Sequence, residues 1–233
     1  MSLSAGLRQV VGSYYAERPE IVAVVPPTAR HVLDVGCGEG SLGRQLKRDR
    51  PAVQVRGIEP SPAPAALARA CLDGVHVGGA EDVLPPEWPA PDCIVFADCL
   101  EHMLDPWSVL ARLTELLAPG GSVVISLPNV AHHTVLLGAL RGRWDYADSG
   151  LLDRTHVRFF TRLTLLELLA QAGLAPVVFE RVFRGPRSRR LANFLERVGR
   201  LVARPDSSAL LRSRATVADL LTYQYLVVAR RLP

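Results

Sequence analysis

The 233 residues suit one domain with a sizeable core, and 48% apolar against 21% charged residues is an ordinary globular balance. A formal net charge of +4, much of it from Arg181 to Arg204, is too small and too local to indicate nucleic-acid binding. No uninterrupted apolar stretch reaches membrane-spanning length, and Met1 to Ala5 do not begin a basic-then-apolar leader, so a cytoplasmic location is expected. In chain order, residues 7–25 read as helical and end at Pro26-Pro27. His31 to Val35 form a short buried strand running into Gly36-Cys37-Gly38-Glu39-Gly40. A helix over Ser41 to Arg48, a strand over Val53 to Glu59 and an Ala-rich helix over Pro62 to Cys71 follow. Strands are expected at Val75 to Val77, Cys93 to Ala97 and Ser122 to Leu127, with a helix from Pro106 to Leu117 stopped by Ala118-Pro119-Gly120-Gly121. Residues 129–160 show little periodicity. A helix resumes at Leu163 to Ala172, and Ala175 to Phe183 and Thr222 to Arg230 are strand-like, with a long helical stretch between them. This alternation predicts an α/β fold with a mostly parallel sheet, seven strands in all, helices on both faces and the last strand antiparallel. The four cysteines form no Cys-x-x-Cys pair and read as reduced thiols packed in apolar runs.

The glycine turn after the first strand is the most informative segment. Glycines there let the backbone turn sharply and let a ligand approach where a Cβ would intrude, and the following helix offers free amides. Glu59, at the end of the second strand, stands where a carboxylate takes both hydroxyls of a ribose. Gly38-x-Gly40-x-x-Gly43 formally matches a dinucleotide signature, but Asp34 argues otherwise. A buried carboxylate beside the loop repels a pyrophosphate and suits a cationic amino-acid tail.

Val32-Leu33-Asp34-Val35-Gly36-Cys37-Gly38-Glu39-Gly40 resembles motif I of the class I S-adenosylmethionine-dependent methyltransferases. Cys93 to Pro106 resembles the family's fourth-strand motif and Leu116 to Ser126 its fifth-strand motif, in the right order over about residues 30–130. The resemblance implies a Rossmann-like fold and S-adenosyl-L-methionine as cofactor. It implies cofactor contacts from Asp34, Gly36, Cys37, Gly38, Gly40 and Glu59, from the adenine-side loop Ala80-Glu81-Asp82, and from the backbone of Ala97. An acid that relatives often carry before the Ala is Gly79 here, so Glu81 and Asp82 compete to receive the adenine amino group. One methyltransferase domain over residues 1–233 is expected, with its cofactor core at about 30–130, an acceptor-side loop or lid at 129–162 and a basic helical insertion at 187–216.

Methyl transfer from a sulfonium needs an aligned nucleophile and, for a hydroxyl, a proton acceptor, for which His is suited near neutral pH. His102 follows the fourth strand, and His132-His133 follow the fifth, at the mouth where open α/β sheets bind ligands. His156 lies in Asp153-Arg154-Thr155-His156-Val157-Arg158-Phe159-Phe160-Thr161, a run that resembles a type 11/12-like subset found in glycan and natural-product pathways. His156 leads as general base, oriented by Asp153, with His102 and His133 competing. No metal ligand set has firm spacing, and none is assigned. The implied reaction is O-methylation of a small-molecule acceptor, a sugar or natural product. N- or C-methylation and a non-catalytic accessory protein are the alternatives, and a dehydrogenase the weakest rival. The arginines and apolar residues of 187–204 read as a helix packed on the sheet or on a second subunit, with contact to a membrane or lipid-linked acceptor as the alternative.

Overall fold

The computed structural model describes residues 17–82, 84–184, 189–191 and 217–232. The expected basic helix at 187–204 and the first part of the expected N-terminal helix lie outside the described residues. The elements are α1 (Pro19–Val24), β1 (His31–Val35), α2 (Ser41–Asp49), β2 (Gln54–Glu59), α3 (Pro62–Ala68), β3 (Gly74–Val77) and β4 (Cys93–Ala97). After a 3-10 turn at Leu100–His102 come α4 (Pro106–Glu115), β5 (Ser122–Pro128), α5 (His133–Leu140), α6 (Arg162–Gln171), β6 (Leu174–Val182), α7 (Val217–Leu221) and β7 (Gln224–Arg231).

The seven strands lie in the order β3-β2-β1-β4-β5-β7-β6. The first five pair in parallel, and β7 inserts antiparallel between β5 and β6. Alternation along the strands divides the core between the two faces. Leu33, Val35, Ile94 and Phe96 pack with Leu110 and Leu113 of α4 and Leu165 and Leu169 of α6. Val32, Cys93 and Val95 pack with Ile21 of α1, Leu42 and Leu46 of α2 and Ala68 of α3. The central strands β1 and β4 are therefore apolar on both sides, as a sheet covered by helices requires. Neighbouring crossovers leave β1 toward β2 and β4 toward β5, so the carboxyl ends of β1 and β4 flank the crevice where the strand order reverses. All four cysteines are free, with Cys37 and Cys93 buried.

The structure adds two features to the acceptor-side segment. The aperiodic segment 129–160 contains α5, of which only Val135 is buried, while Leu136, Leu137 and Leu140 are exposed. A helix apolar on several sides has no polar face to mark its period. The rest of the segment is tied down more firmly than its composition suggested. Val130 N–H donates to the Phe160 carbonyl, and the Val157 and Arg158 N–H groups both donate to the Glu101 carbonyl.

Candidate functional site

The turn after β1 is built by its glycines. Gly36, Gly38 and Gly40 have φ of 71°, 53° and 77°, a region that costs other residues. The Gly36 and Cys37 N–H groups donate to the Ile58 carbonyl at 2.8 and 3.0 Å, which holds the turn against the end of β2. From that end Glu59 reaches back. Its two carboxylate oxygens accept from the Gly38 N–H and the Ser61 N–H, each at 2.9 Å. Glu59 is thus fixed on the turn, with lone pairs remaining on both oxygens.

Asp34 sits beneath this turn on β1, 2% exposed, and its Oδ2 has no hydrogen-bond partner. Burial, helped by the nearby Glu59 carboxylate, pushes its carboxyl up to about 7. A buried carboxylate oxygen without a hydrogen-bond partner, beneath a turn made of glycines, fits the ammonium end of an amino-acid-bearing cofactor. At the other edge of the crevice, Gly36 abuts Cys99 so closely that a Cβ there would lie 3.0 Å from Cys99 Cβ. Ala97 ends β4 and is half-buried. On the loop after β3, Ala80 is buried and its carbonyl accepts from Arg112. Asp82 accepts from the Gly79 N–H at 2.8 Å and pairs with His76 Nε2 at 3.1 Å. The Glu81 carboxylate folds back over Gly79, where any Cβ would meet it at 2.6 Å.

Asp98 received no role from the sequence. It is the one non-glycine residue with positive φ among the described residues, at 52°. Asp tolerates this region at a modest cost, and such outliers concentrate at functional sites. It accepts from Ser126 Oγ at 2.9 Å, from Gln224 and from Arg18, which also reaches Ser126 Oγ at 3.3 Å. These four residues, from α1's N-cap and the ends of β4, β5 and β7, close one wall of the crevice. Their partners are distant in sequence, and only the left-handed Asp98 at a strand end left a local signal.

The three histidine candidates separate. The rings of His102 and His156 lie 4.9 Å apart, edge to face, with His156 Nε2 4.0 Å from Glu101 Oε1. His156 is 8% and Glu101 1% exposed, whereas His102 is half-buried. His133 instead hydrogen-bonds the Leu220 carbonyl through Nδ1 at 3.0 Å. Its neighbour His132 caps α5, and burial, reinforced by His133, pulls its pKa down to about 4. Asp153 Oδ1 accepts from the Thr155 N–H and hydroxyl at 2.8 and 2.6 Å, while His156 Nδ1 meets the Leu151 carbonyl at 3.3 Å. Burial, joined by His102, lowers the His156 pKa and outweighs the opposing charge of Asp153. Glu101, buried and near Asp98, is held well above the usual carboxylate range. Trp144 packs edge-on against Phe159 at 5.5 Å, which pins the loop, while Tyr146 stays exposed.

Two cavities lie at opposite ends of the sheet. One of about 280 Å³ lies between α5, the loop 143–152 and Tyr223. The larger, about 340 Å³, is walled by His31, Trp88 and Arg112 near the start of β1, the end opposite the glycine turn. Size alone would select the larger one, but the conformationally demanding glycines and the orphaned carboxylate stand at the other end of the strand.

A Rossmann-like sheet with an acid beneath a three-glycine turn, and a second acid bracing that turn from β2, defines the class I S-adenosylmethionine-dependent methyltransferases. The chain belongs to the methyltransferase domain family, whose profile matches residues 11–178. It is similar to trans-aconitate 2-methyltransferase of Acidovorax sp. (strain JS42), 33% identical over 109 residues, covering 47% of this chain and 42% of the relative. It is also similar to the ubiquinone biosynthesis O-methyltransferase of Xylella fastidiosa (strain 9a5c), 36% identical over 110 residues, covering 45% and 44%. These matches span less than half the length of either relative. The fold resembles the O-methyltransferase of a trans-AT polyketide synthase multienzyme of Brevibacillus brevis, solved with S-adenosyl-L-homocysteine. There the TM-score is 0.55 at 17% identity, over 97% of this chain and 71% of that one.

Proposed function

We propose that the protein methylates a hydroxyl of a small-molecule acceptor, a sugar or natural product, using S-adenosylmethionine. The observation that carries this reading is the juxtaposition of two buried sets at the carboxyl end of the sheet. Asp34 and Glu59 flank the glycine turn, and Glu101 and the half-buried His102 follow β4 just beyond Cys99, where the acceptor-side loop brings His156 against them. Asp34 Oδ2 receives the ammonium group, and the turn at Gly36, Cys37, Gly38 and Gly40 leaves room for the amino-acid tail and ribose. Glu59 accepts the ribose hydroxyls with the lone pairs left over from the turn. Ala80, Glu81 and Asp82 border the adenine. Because Asp82 is engaged by His76 and Gly79, Glu81 is the freer carboxylate for its amino group. Ala97 borders the methionine end through its backbone. Bound S-adenosylmethionine supplies a methyl group already activated on a sulfonium.

The remaining work belongs to the acceptor side. The Glu101–His102–His156 cluster orients the hydroxyl and relieves it of its proton, with the half-buried His102 at the solvent edge. Residues 141–149 form a lid over the 280 Å³ cleft, hinged where α5 ends and where Trp144 meets Phe159. The names of the two relatives agree with a small acceptor, and that of the Xylella relative with oxygen as the methylated atom.

The test has two parts. Calorimetry is expected to show binding of S-adenosylmethionine and S-adenosylhomocysteine, and tight NAD binding with no response to S-adenosylhomocysteine overturns the cofactor assignment. A panel of sugars, phenols and polyketide alcohols, incubated with methyl-labelled cofactor, is expected to yield methyl ethers. Label found only on nitrogen or carbon transfers the assignment to the corresponding methyltransferase.

A further inference from the structure

Glu101, His102 and His156 present one ligand atom each, all within 4.8 Å of one another, and no other such group occurs among the described residues. What distinguishes the cluster is how the imidazoles are held. His102 Nδ1 lies 3.2 Å from the Thr155 carbonyl and 3.2 Å from Thr155 Oγ1, whose own proton is given to Asp153 at 2.6 Å. His156 Nδ1 lies 3.3 Å from the Leu151 carbonyl. Each neighbour of Nδ1 can only accept, so both rings carry their proton on Nδ1 and leave a lone pair on Nε2. The Nε2 of His156 faces Glu101 Oε1 at 4.0 Å, and Glu101 Oε2 is buried without a hydrogen-bond partner. Two imidazoles and a carboxyl group thus converge on one point.

The geometry points to a site for a divalent transition ion, of the zinc, cobalt or ferrous class, held by Glu101, His102 Nε2 and His156 Nε2. Two imidazoles and one carboxylate are a recurrent set for catalytic ions, with positions left for water or substrate. Imidazole nitrogens favour these ions over magnesium or calcium, which take oxygen. Backbone carbonyls on both Nδ1 atoms supply the outer support that ligating histidines almost always have. With bonds of about 2.0–2.2 Å the ligand atoms must draw together to roughly 3.5 Å, which rotation of the half-buried His102 allows. The sequence could not show this set, because His156 is brought to the 3-10 turn by contacts between distant segments, among them the Val157 and Arg158 N–H groups on the Glu101 carbonyl and Thr155 on His102. With both Nε2 lone pairs on the ion the imidazoles would no longer take the proton, and the ion would instead orient the acceptor hydroxyl and acidify it, its proton passing to solvent. This use rests on the function proposed above, but ion binding does not.

The experiment takes the full chain, stripped with EDTA and dialysed, and titrates it with Zn²⁺ by calorimetry and with Co²⁺ by visible absorption. One ion per chain is expected, with ligand-field bands characteristic of nitrogen and oxygen donors. Glu101→Gln, His102→Ala and His156→Ala are expected to weaken it at least 10-fold, as losing a ligand or its support does, and His133→Ala to leave it unchanged. Circular dichroism melts identify any variant that fails to fold, and the nearly isosteric Glu101→Gln then decides the matter. No stoichiometric binding at 100 µM ion, or binding unaffected by all three substitutions, overturns the inference. S-adenosylhomocysteine affinity of the stripped protein is read in parallel. Retained cofactor affinity without ion binding sinks only the ion site, whereas lost cofactor affinity sinks the methyltransferase reading.

Discussion

At Asp34 the fold sacrifices stability to keep a charge-receptive carboxylate dry. Its carboxyl is raised to about 7, chiefly by burial, while the unfolded chain would release the proton near pH 4. The folded state therefore holds the proton more tightly, so this group's contribution is full below about pH 4 and is lost as pH rises toward 7. At about 1.4 kcal/mol per pH unit, roughly 3 kcal/mol disappears between pH 5 and pH 8. Asp34→Asn is expected to remove that slope, so that urea denaturation finds the variant more stable than the parent at pH 8 but not at pH 5. The same variant is expected to bind S-adenosylhomocysteine at least 10-fold more weakly at pH 8, since a neutral amide replaces the ionised partner of the ammonium. A gain in stability without loss of affinity would show that Asp34 does not face the cofactor. Glu59 behaves differently, because its oxygens already hold the Gly38 and Ser61 amides. Glu59→Ala is expected to cost about 1–3 kcal/mol of cofactor affinity in calorimetry, the range for a hydrogen bond to a charged group.

Among the elements, the strand-to-helix turn and the acceptor-side loop respond to substitution in different ways. Gly40 caps α2 at φ 77°, and an added Cβ would meet Cys71 Sγ at 2.6 Å. Gly142 has a similar φ of 72° but open space around it. Gly142→Ala is therefore expected to lose only the conformational cost, about 1 kcal/mol, and Gly40→Ala about 2–4 kcal/mol once overpacking is added. Chemical denaturation measures both, and combining Gly40→Ala with Cys71→Ala is expected to recover part of the loss. Equal costs at the two glycines would refute the steric account. The loop makes a kinetic prediction. Val157 and Arg158 amides, held by the Glu101 carbonyl, are expected to exchange slowly with or without ligand. Residues 144–146, whose side chains are exposed, are expected to exchange fast in the free protein and to slow when acceptor binds. No change on acceptor binding would argue against a lid.

Across the whole molecule, one buried acid joins the late elements. Asp219 of α7 is 1% exposed and accepts from Arg162 of α6 at 3.1 Å, Arg181 of β6 at 2.9 Å and the Tyr225 hydroxyl of β7 at 3.3 Å. Removing one partner of such a network leaves the others desolvated and poorly paired. Asp219→Ala is expected to cost about 3–5 kcal/mol in thermal or urea unfolding. Because the network lies beyond β5 from the glycine turn, cofactor affinity of the folded variant is expected to stay within a few-fold. A large fall in affinity at unchanged stability would mean the network supports the site rather than the fold.

Legibility tracked the range of the interactions. The glycine turn, Asp34 and Glu59 were readable because a turn between consecutive elements obeys local rules, where positive φ demands glycine and alternation buries Asp34. The central parallel strands were readable because each had to be apolar on both faces. The helix α5 was not, since its leucines face several directions and leave no period. Asp98 with Arg18, Ser126 and Gln224, and Glu101 with His156, were also invisible as sets, because each joins residues that only the crossovers and the inserted β7 bring to one end of the sheet. The sequence by itself thus determined the α/β class and the glycine turn with its two acids, through short-range backbone sterics and burial periodicity. The tertiary structure alone decided which histidines meet, where Asp153 turns and what closes the crevice. Those outcomes depend on which distant segments share a sheet edge, and local periodicity carries no record of that.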